Sequence, residues 1–354
     1  QIGNIFLDGE HFVRLGAFMG QFTGSAPIKS EKVLHNYVFF EGFKHQLKLA
    51  NEHNGWFTKA NLCYALEQWA KLLQNAPLEL WLTPYHVPAK NPKTIAIIMA
   101  GNIPLVGFHD FISALVSGHN IIIKQSSNDS HLLPYLAAYL THLELDLKSK
   151  IKFTKEKLQD FDAVIATGSD NTARYFEAYF KNKPSIIRKN RNSIAILTGK
   201  ESEADLKSLA EDIFRYYGLG CRSVSKLFVP EDYNFDMFFK AVYDWHFIMK
   251  SAKYANNYDY NKAVYLMSEY NLIENGFLIL KEDTNYASPI ATLFYEFYED
   301  LESLKLRIKA DASKIQCLVS KNFNEDEVTF GATQLPKLSD YADGIDTVDF
   351  LLKI

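Results

Sequence analysis

The residues with the most reactive chemistry lie in YYGLGCRSVSKLFVP, positions 216–230, where Cys221 follows a glycine and precedes an arginine. A thiolate is the nucleophilic form of cysteine, and small flanking residues with a cation alongside favour its formation and access. Upstream, KESEADLKSLAEDIFRYYG carries Leu206, Leu209, Ala210, Ile213, Phe214 and Tyr217 on one helical stripe, with a Ser202–Asp205 capping box and Gly218 as a stop. Downstream, SKLFVP reads as a strand. Cys221 is therefore expected in a tight helix-to-strand turn, and the residues alone leave both a packed thiol and a nucleophile open. The other two cysteines read as packing. Cys63 falls inside a helical pattern capped by Thr58, and Cys317 sits in the apolar run IQCLVS.

Elements that would position such chemistry are visible earlier in the chain. After the aromatic, helical first 83 residues, TIAIIMA is an apolar run of strand length, followed by GNIP and a helix with Phe108, Phe111, Ile112, Leu115 and Val116 on one face. Gly118 suits the left-handed residue that ends it. NIIIKQS, DAVIATGSD and SIAILTG repeat the strand pattern, with NDSHLLPYLAAYLTHL and NTARYFEAYF as helices between them. Apolar strands alternating with helices predict an α/β, doubly wound parallel sheet, and such sheets bind ligands at the carboxyl ends of their strands. Those ends carry Asn102, then Lys124 and Ser127, then Gly168 and Ser169. The Gly168–Ser169 turn can offer backbone N–H groups to a phosphate, and equally reads as an ordinary turn with Ser169 capping the helix.

Composition narrows the function classes. The chain has 354 residues, 47% hydrophobic and 23% charged, and a net charge of −4, so it carries no basic footprint for nucleic acid. Its three cysteines are too few and odd in number for a secreted disulfide framework, and no apolar run reaches the ~20 residues of a membrane span. A reducing, cytoplasmic setting is expected. His109, His119, His131 and His246 have no metal-ligand spacing, so no metal is expected.

The order of these features resembles the aldehyde dehydrogenase superfamily. GNIPLVGFHDFISALVSGHNIIIKQSSNDS is similar to its Asn-aromatic-Pro segment and the lysine-bearing strand end, ATGSDNTARYF to its Gly-Ser turn, and GLGCRSVSKLFV to its cysteine loop. More specifically, TGSDNTARYF, IIRKNRNSIAILTGKES, YGLGCRSVSKLFVP and TFGATQLPKLSDYADGIDTVDFL resemble bacterial acyl-CoA reductases of the bioluminescence fatty-acid-reductase type. The resemblance implies an aldehyde-dehydrogenase-like fold, with a Rossmann-type parallel-sheet cofactor domain over 1–190, including the helical segment 1–83. An α/β catalytic domain over 191–335 and a tail at 336–354 would follow.

It implies roles as well. Cys221 is matched to the nucleophile, Asn102 to the oxyanion-hole amide, Lys124 to the lysine at the adenosine ribose, and Gly168 and Ser169 to the turn at the pyrophosphate. Where oxidising members of the superfamily place the glutamate that activates water, this chain has Arg188, and a guanidinium does not serve as general base. Three residues after Lys124, where NAD-preferring relatives often carry a glutamate, stands Ser127, which does not repel a 2′-phosphate. The expected activity is reduction of an acyl thioester, such as a fatty acyl-CoA, to an aldehyde with NADPH, NADH being the alternative nicotinamide. Rival readings are an aldehyde-oxidising dehydrogenase, a cysteine acyltransferase or thioesterase without nicotinamide, and a non-catalytic binding partner. The chain is shorter than typical members, so reduced oligomerisation arms are expected and a homo-oligomer stays open. The aromatic stretches after Pro230 read as core or acyl tunnel. The polar segment with Gln334, Asp343 and Asp346 reads as a closing loop or plain surface.

Overall fold

The computed structural model describes residues 9–354; the first eight residues of the expected helical N-terminal segment lie outside them. Two units form. One runs to Lys189 and includes Lys337–Ile354, and the other is Asn190–Pro336.

The first unit opens with four helices, α1 (Gly9–Gly20), α2 (Asn36–His53), α3 (Lys59–Leu72) and α4 (Asn75–Leu82). Thr58 caps α3 by accepting from the Asn61 N–H, as its sequence predicts. The alternation follows: β1 (Thr94–Ile98), α5 (Phe108–Val116), β2 (Asn120–Lys124), α6 (Leu132–Leu143), α7 (Leu147–Lys150), β3 (Ile151–Phe153), β4 (Ala163–Thr167), α8 (Asp170–Tyr179) and β5 (Ser185–Arg188). The strands pair in the order β3-β2-β1-β4-β5, and every pairing is parallel. The short edge strands β3 and β5 carry little apolar pattern of their own. Ile95, Ile97, Ile121, Ile123, Ala163 and Ile165 bury against α5 and α6, which is why the central strands read as continuous apolar runs. Strand order reverses between β1 and β4, the point where such sheets open a crevice at their carboxyl edge.

The second unit holds β6 (Asn192–Ile196), α9 (Glu203–Phe214), β7 (Val224–Pro230), α10 (Phe235–Val242), α11 (Ala252–Met267), β8 (Leu272–Glu274), β9 (Ile279–Glu282), β10 (Thr292–Tyr298), α12 (Leu301–Ala310) and β11 (Ile315–Val319). Its sheet runs β11-β6-β7-β10-β9-β8, parallel except for the β8–β9 pair. SIAILTG thus belongs to this second sheet. The aromatic run after Pro230 divides: Phe235 and Phe238 are buried, whereas Tyr243 and Phe247 are exposed. The last helix, α13 (Thr347–Lys353), belongs to the first unit, where its buried Val348 and Leu351 join the same core as α5.

Candidate active site

The capping box forms at the start of α9, Ser202 and Asp205 each taking the other's backbone N–H at 3.1 and 3.0 Å. The helix then ends at Phe214, before the expected Gly218. Tyr216, Tyr217 and Gly218 all adopt left-handed backbone, with φ of 54°, 58° and 73°, which takes Tyr217 off the apolar stripe. Each tyrosine held there costs on the order of 1–2 kcal/mol, so the surroundings must impose the conformation. Of the two, Tyr216 is buried.

Cys221 comes next, exposed at the surface, with Arg222 beside it. The Ser223 N–H donates to the Gly220 carbonyl at 3.0 Å, closing a turn with Cys221 and Arg222 at its corners. The Cys221 carbonyl accepts the buried Ser193 hydroxyl at 2.9 Å, and Ser193 in turn accepts the Cys317 N–H at 3.1 Å. Cys317 is buried in β11 as expected, while Cys63 is half-buried and burial raises its thiol pKa.

A second set of bonds reaches the turn from the segment near residue 330. Asp212, fully buried in the last turn of α9, accepts the Gly331 N–H at 2.6 Å, the Thr333 N–H at 2.9 Å and the Thr333 hydroxyl at 2.8 Å. The Thr333 carbonyl accepts Arg222 Nε at 2.5 Å, and Gln334 Nε2 donates to Ser223 Oγ at 3.4 Å. Burial pushes the Asp212 carboxyl up to about 6, against the opposing pull of its three donors. Beside the turn, Phe214, Tyr217, Val224, Tyr254 and Pro289 line a partly open cavity of about 30 Å³, room for a water.

In the first unit, the carboxyl edge of the sheet carries the remaining sequence-predicted residues. Asn102 is exposed on the loop after β1, Lys124 ends β2 with exposed Ser127 just beyond, and Gly168 and Ser169 join β4 to α8. These three strands are neighbours in the order β2-β1-β4, and Lys124 pairs in register with Ile98. Lys124 Nζ donates to the Glu156 carbonyl at 3.2 Å. Ser169 caps α8, taking the Thr172 N–H at 3.3 Å. A helix N-terminus beside a strand-order reversal suits an anion.

The loop bearing Asn102 has its own buried anchor. Leu105 sits at φ 57°, and its N–H donates to Asp129 Oδ2 at 2.8 Å. Burial raises the Asp129 carboxyl to about 6, and the Leu105 N–H pulls the other way. Asp129 therefore precedes α6 instead of lying within it, because its side chain and N–H serve the neighbouring loops.

Arg188, at the end of β5, is almost wholly buried and ion-paired with Asp110 of α5; its other terminal nitrogen donates to Thr347 Oγ1 of α13 at 3.1 Å. His109 donates Nε2 to the Leu338 carbonyl at 2.8 Å. His119 accepts the Lys93 N–H at Nδ1 and donates Nε2 to the Leu351 carbonyl, so both histidines serve the backbone. Among the described residues no group of His, Cys, Asp or Glu has the arrangement of a metal site. No helix among them is long and apolar enough to cross a membrane.

Sequence reading passed over Asp129, Asp212, Ser193 and Thr333. Asp212 lies among the apolar positions of α9, beside Ile213 and between Ala210 and Phe214, and a carboxylate among buried neighbours was the available signal. Its partners, more than a hundred residues downstream, leave no local trace.

A family model described as acyl-CoA reductase (LuxC) matches residues 44–241. The long-chain acyl-protein thioester reductase of Aliivibrio fischeri is 24% identical over 214 residues, a match spanning 54% of this chain and 43% of that protein. Aldehyde dehydrogenase 21 of Physcomitrella patens superposes with a TM-score of 0.60 at 14% identity, covering 87% of this chain and 72% of that one. An acetylating aldehyde dehydrogenase from Geobacillus thermoglucosidasius gives 0.59 at 10% identity, covering 93% and 83%. An indole-3-acetaldehyde dehydrogenase in complex with NAD+ gives 0.59 at 15% identity, covering 92% and 74%. With an aldehyde-dehydrogenase-like α/β fold and a family match across more than half its length, the chain belongs to the LuxC family of acyl-CoA reductases.

Proposed function

We propose that this protein reduces an acyl thioester, a fatty acyl-CoA first among them, to the aldehyde with NADPH through an S-acyl intermediate on Cys221. The observation that carries the proposal is the setting of that thiol. Cys221 is exposed on a turn fixed through its own carbonyl and through both residues that follow it, whereas Cys317 is buried and Cys63 half-buried.

The Cys221 thiolate attacks the thioester carbonyl carbon, a new C–S bond forms, and the tetrahedral intermediate expels CoA as its thiolate. The Cys221 backbone N–H meets the oxyanion, and the resemblance of the GNIP segment assigns Asn102 as the second donor. Such donors contribute roughly 3–4 kcal/mol each.

The first unit is assigned as the cofactor domain and Asn190–Pro336 as the catalytic one. Lys124 and Ser127 would hold the adenosine ribose, and Gly168 with the Ser169-capped start of α8 the pyrophosphate. The donors fit: a cation and a neutral hydroxyl at the end of β2 and a helix N-terminus after β4 stand on one edge, on either side of β1. Ser127 puts no carboxylate against a 2′-phosphate, which favours NADPH while leaving NADH usable. NADPH bound there would supply the hydride for reducing the acyl-cysteine to a thiohemiacetal. Collapse of the thiohemiacetal returns the Cys221 thiolate and frees the aldehyde.

Reduction is favoured over oxidation because Arg188, matched to the water-activating glutamate, is a cation spent on Asp110. A reducing cytoplasm would keep Cys221 a thiol. Acyl-CoAs of graded chain length, each with NADPH or NADH, test the proposal by nicotinamide absorbance and aldehyde product. Aldehyde formed with NADPH consumption supports it. Free acid or transferred acyl groups without nicotinamide consumption would favour a thioesterase or acyltransferase.

A further inference from the structure

We propose that Asp212 is a positioning residue for Cys221, acting through Thr333 to hold Arg222 and the cysteine turn in the geometry for attack. The inference rests on the reading of Cys221 as the nucleophile.

Three observations carry it. Asp212 lies upstream of the left-handed Tyr216–Gly218 segment, while Arg222 and Ser223 lie downstream. One short strap contacts both sides: Gly331 and Thr333 donate to Asp212, the Thr333 carbonyl takes Arg222 Nε, and Gln334 reaches Ser223. The strained tyrosines need such external fixing, because a left-handed pair relaxes when its surroundings loosen.

The carboxylate is specific to the task. Its two oxygens accept three donors, all from the strap, and no cation among the described residues ion-pairs with it. An apolar residue there would leave the Gly331 N–H, the Thr333 N–H and the Thr333 hydroxyl without their acceptor, so the carboxylate is what fastens the strap to α9. Gly331 completes the strap. At φ +84° it comes so near α9 that a Cβ would lie 3.1 Å from the Ser208 Cβ, so only glycine delivers its N–H to Asp212 without displacement.

The test compares Asp212→Asn, Thr333→Val and Thr333→Ser with the wild type. An asparagine must turn an NH2 toward one of the strap donors, and valine removes the hydroxyl bond while leaving the carboxylate in place. Asp212→Asn is expected to lower the rate of Cys221 acylation and kcat about tenfold or more, with KM for NADPH within about twofold. Thr333→Val should move in the same direction, and Thr333→Ser, which keeps the hydroxyl, should stay near wild type.

The pH midpoint of Cys221 alkylation by iodoacetamide, read by peptide mass, needs neither acyl-CoA nor nicotinamide. It should shift in Asp212→Asn and Thr333→Val and stay in Thr333→Ser. Folded Asp212→Asn with wild-type kcat and an unmoved midpoint would overturn the inference. If Asp212→Asn does not fold, Thr333→Val decides by the same two readouts. A shifted midpoint in a protein whose wild type reduces no acyl-CoA would reject the proposed activity and keep the positioning role.

Discussion

Thr333 turns both its backbone N–H and its hydroxyl onto Asp212, at 2.9 and 2.8 Å, while its carbonyl takes Arg222 Nε. A single residue near the end of the second unit thus joins a helix to the turn that carries Cys221. The relationship makes the strap, and not the helix alone, responsible for where the turn sits.

Gly331→Ala should expose that dependence. The new Cβ must adopt φ +84° and lies 3.1 Å from Ser208 Cβ and 3.3 Å from its carbonyl oxygen. A loss of about 1–2 kcal/mol from the left-handed backbone is expected, with the clash adding to it. Denaturant unfolding of Gly331→Ala against wild type measures it, and an unchanged midpoint would mean that the strap yields freely.

The buried Arg188–Asp110 pair gives a prediction about coupling. Arg188→Met leaves Asp110 as an unpaired buried carboxylate, and breaking such pairs costs about 3–5 kcal/mol. Adding Asp110→Leu to Arg188→Met removes that orphaned charge and should recover most of the loss. A double-mutant cycle by denaturant unfolding reads the coupling. Additive losses would show that the two residues stabilise the unit independently.

Asp129 should leave a signature in the pH dependence of stability. Its folded carboxyl is raised to about 6, above the ordinary ~3.9 of an unfolded chain. Between those values the folded state holds more protons, so the contribution of Asp129 is fully present below pH ~4 and declines as pH rises to about 6. The stability of wild type minus that of Asp129→Asn should fall across this window and then level off. A difference that stays flat or rises would contradict the burial of this carboxyl.

Much of the fold was legible because its signals are local. The apolar runs of β1, β2 and β4, the Thr58 cap, the Ser202–Asp205 capping box and the left-handed Gly118 each lie within a few residues of one another. The strand ends bearing Asn102, Lys124 and Gly168 could be named because a parallel sheet fixes where its ligand edge falls. What escaped depends on distant partners. Nothing in two adjacent tyrosines announces left-handed backbone, since tertiary contacts impose it against their preference. The edge strands β3 and β5 are too short to show a pattern, and Arg188 finds Asp110 only once β5 and α5 share a unit. The segment around Gln334 divides: 331–334 is fastened to α9 and the cysteine turn, while Asp346 caps α13 and accepts the Tyr85 hydroxyl at 2.6 Å in the other unit.

The central claim, that an acyl group rests on Cys221 before it is reduced, is tested most directly by single-turnover mass spectrometry. Wild-type protein incubated with a fatty acyl-CoA and no nicotinamide should gain one acyl mass on the peptide containing Cys221. Addition of NADPH should then discharge that mass as one equivalent of aldehyde. Cys221→Ala should show neither adduct nor aldehyde. Aldehyde formation by Cys221→Ala at the wild-type rate, or discharge of the wild-type adduct as free acid, would contradict the account.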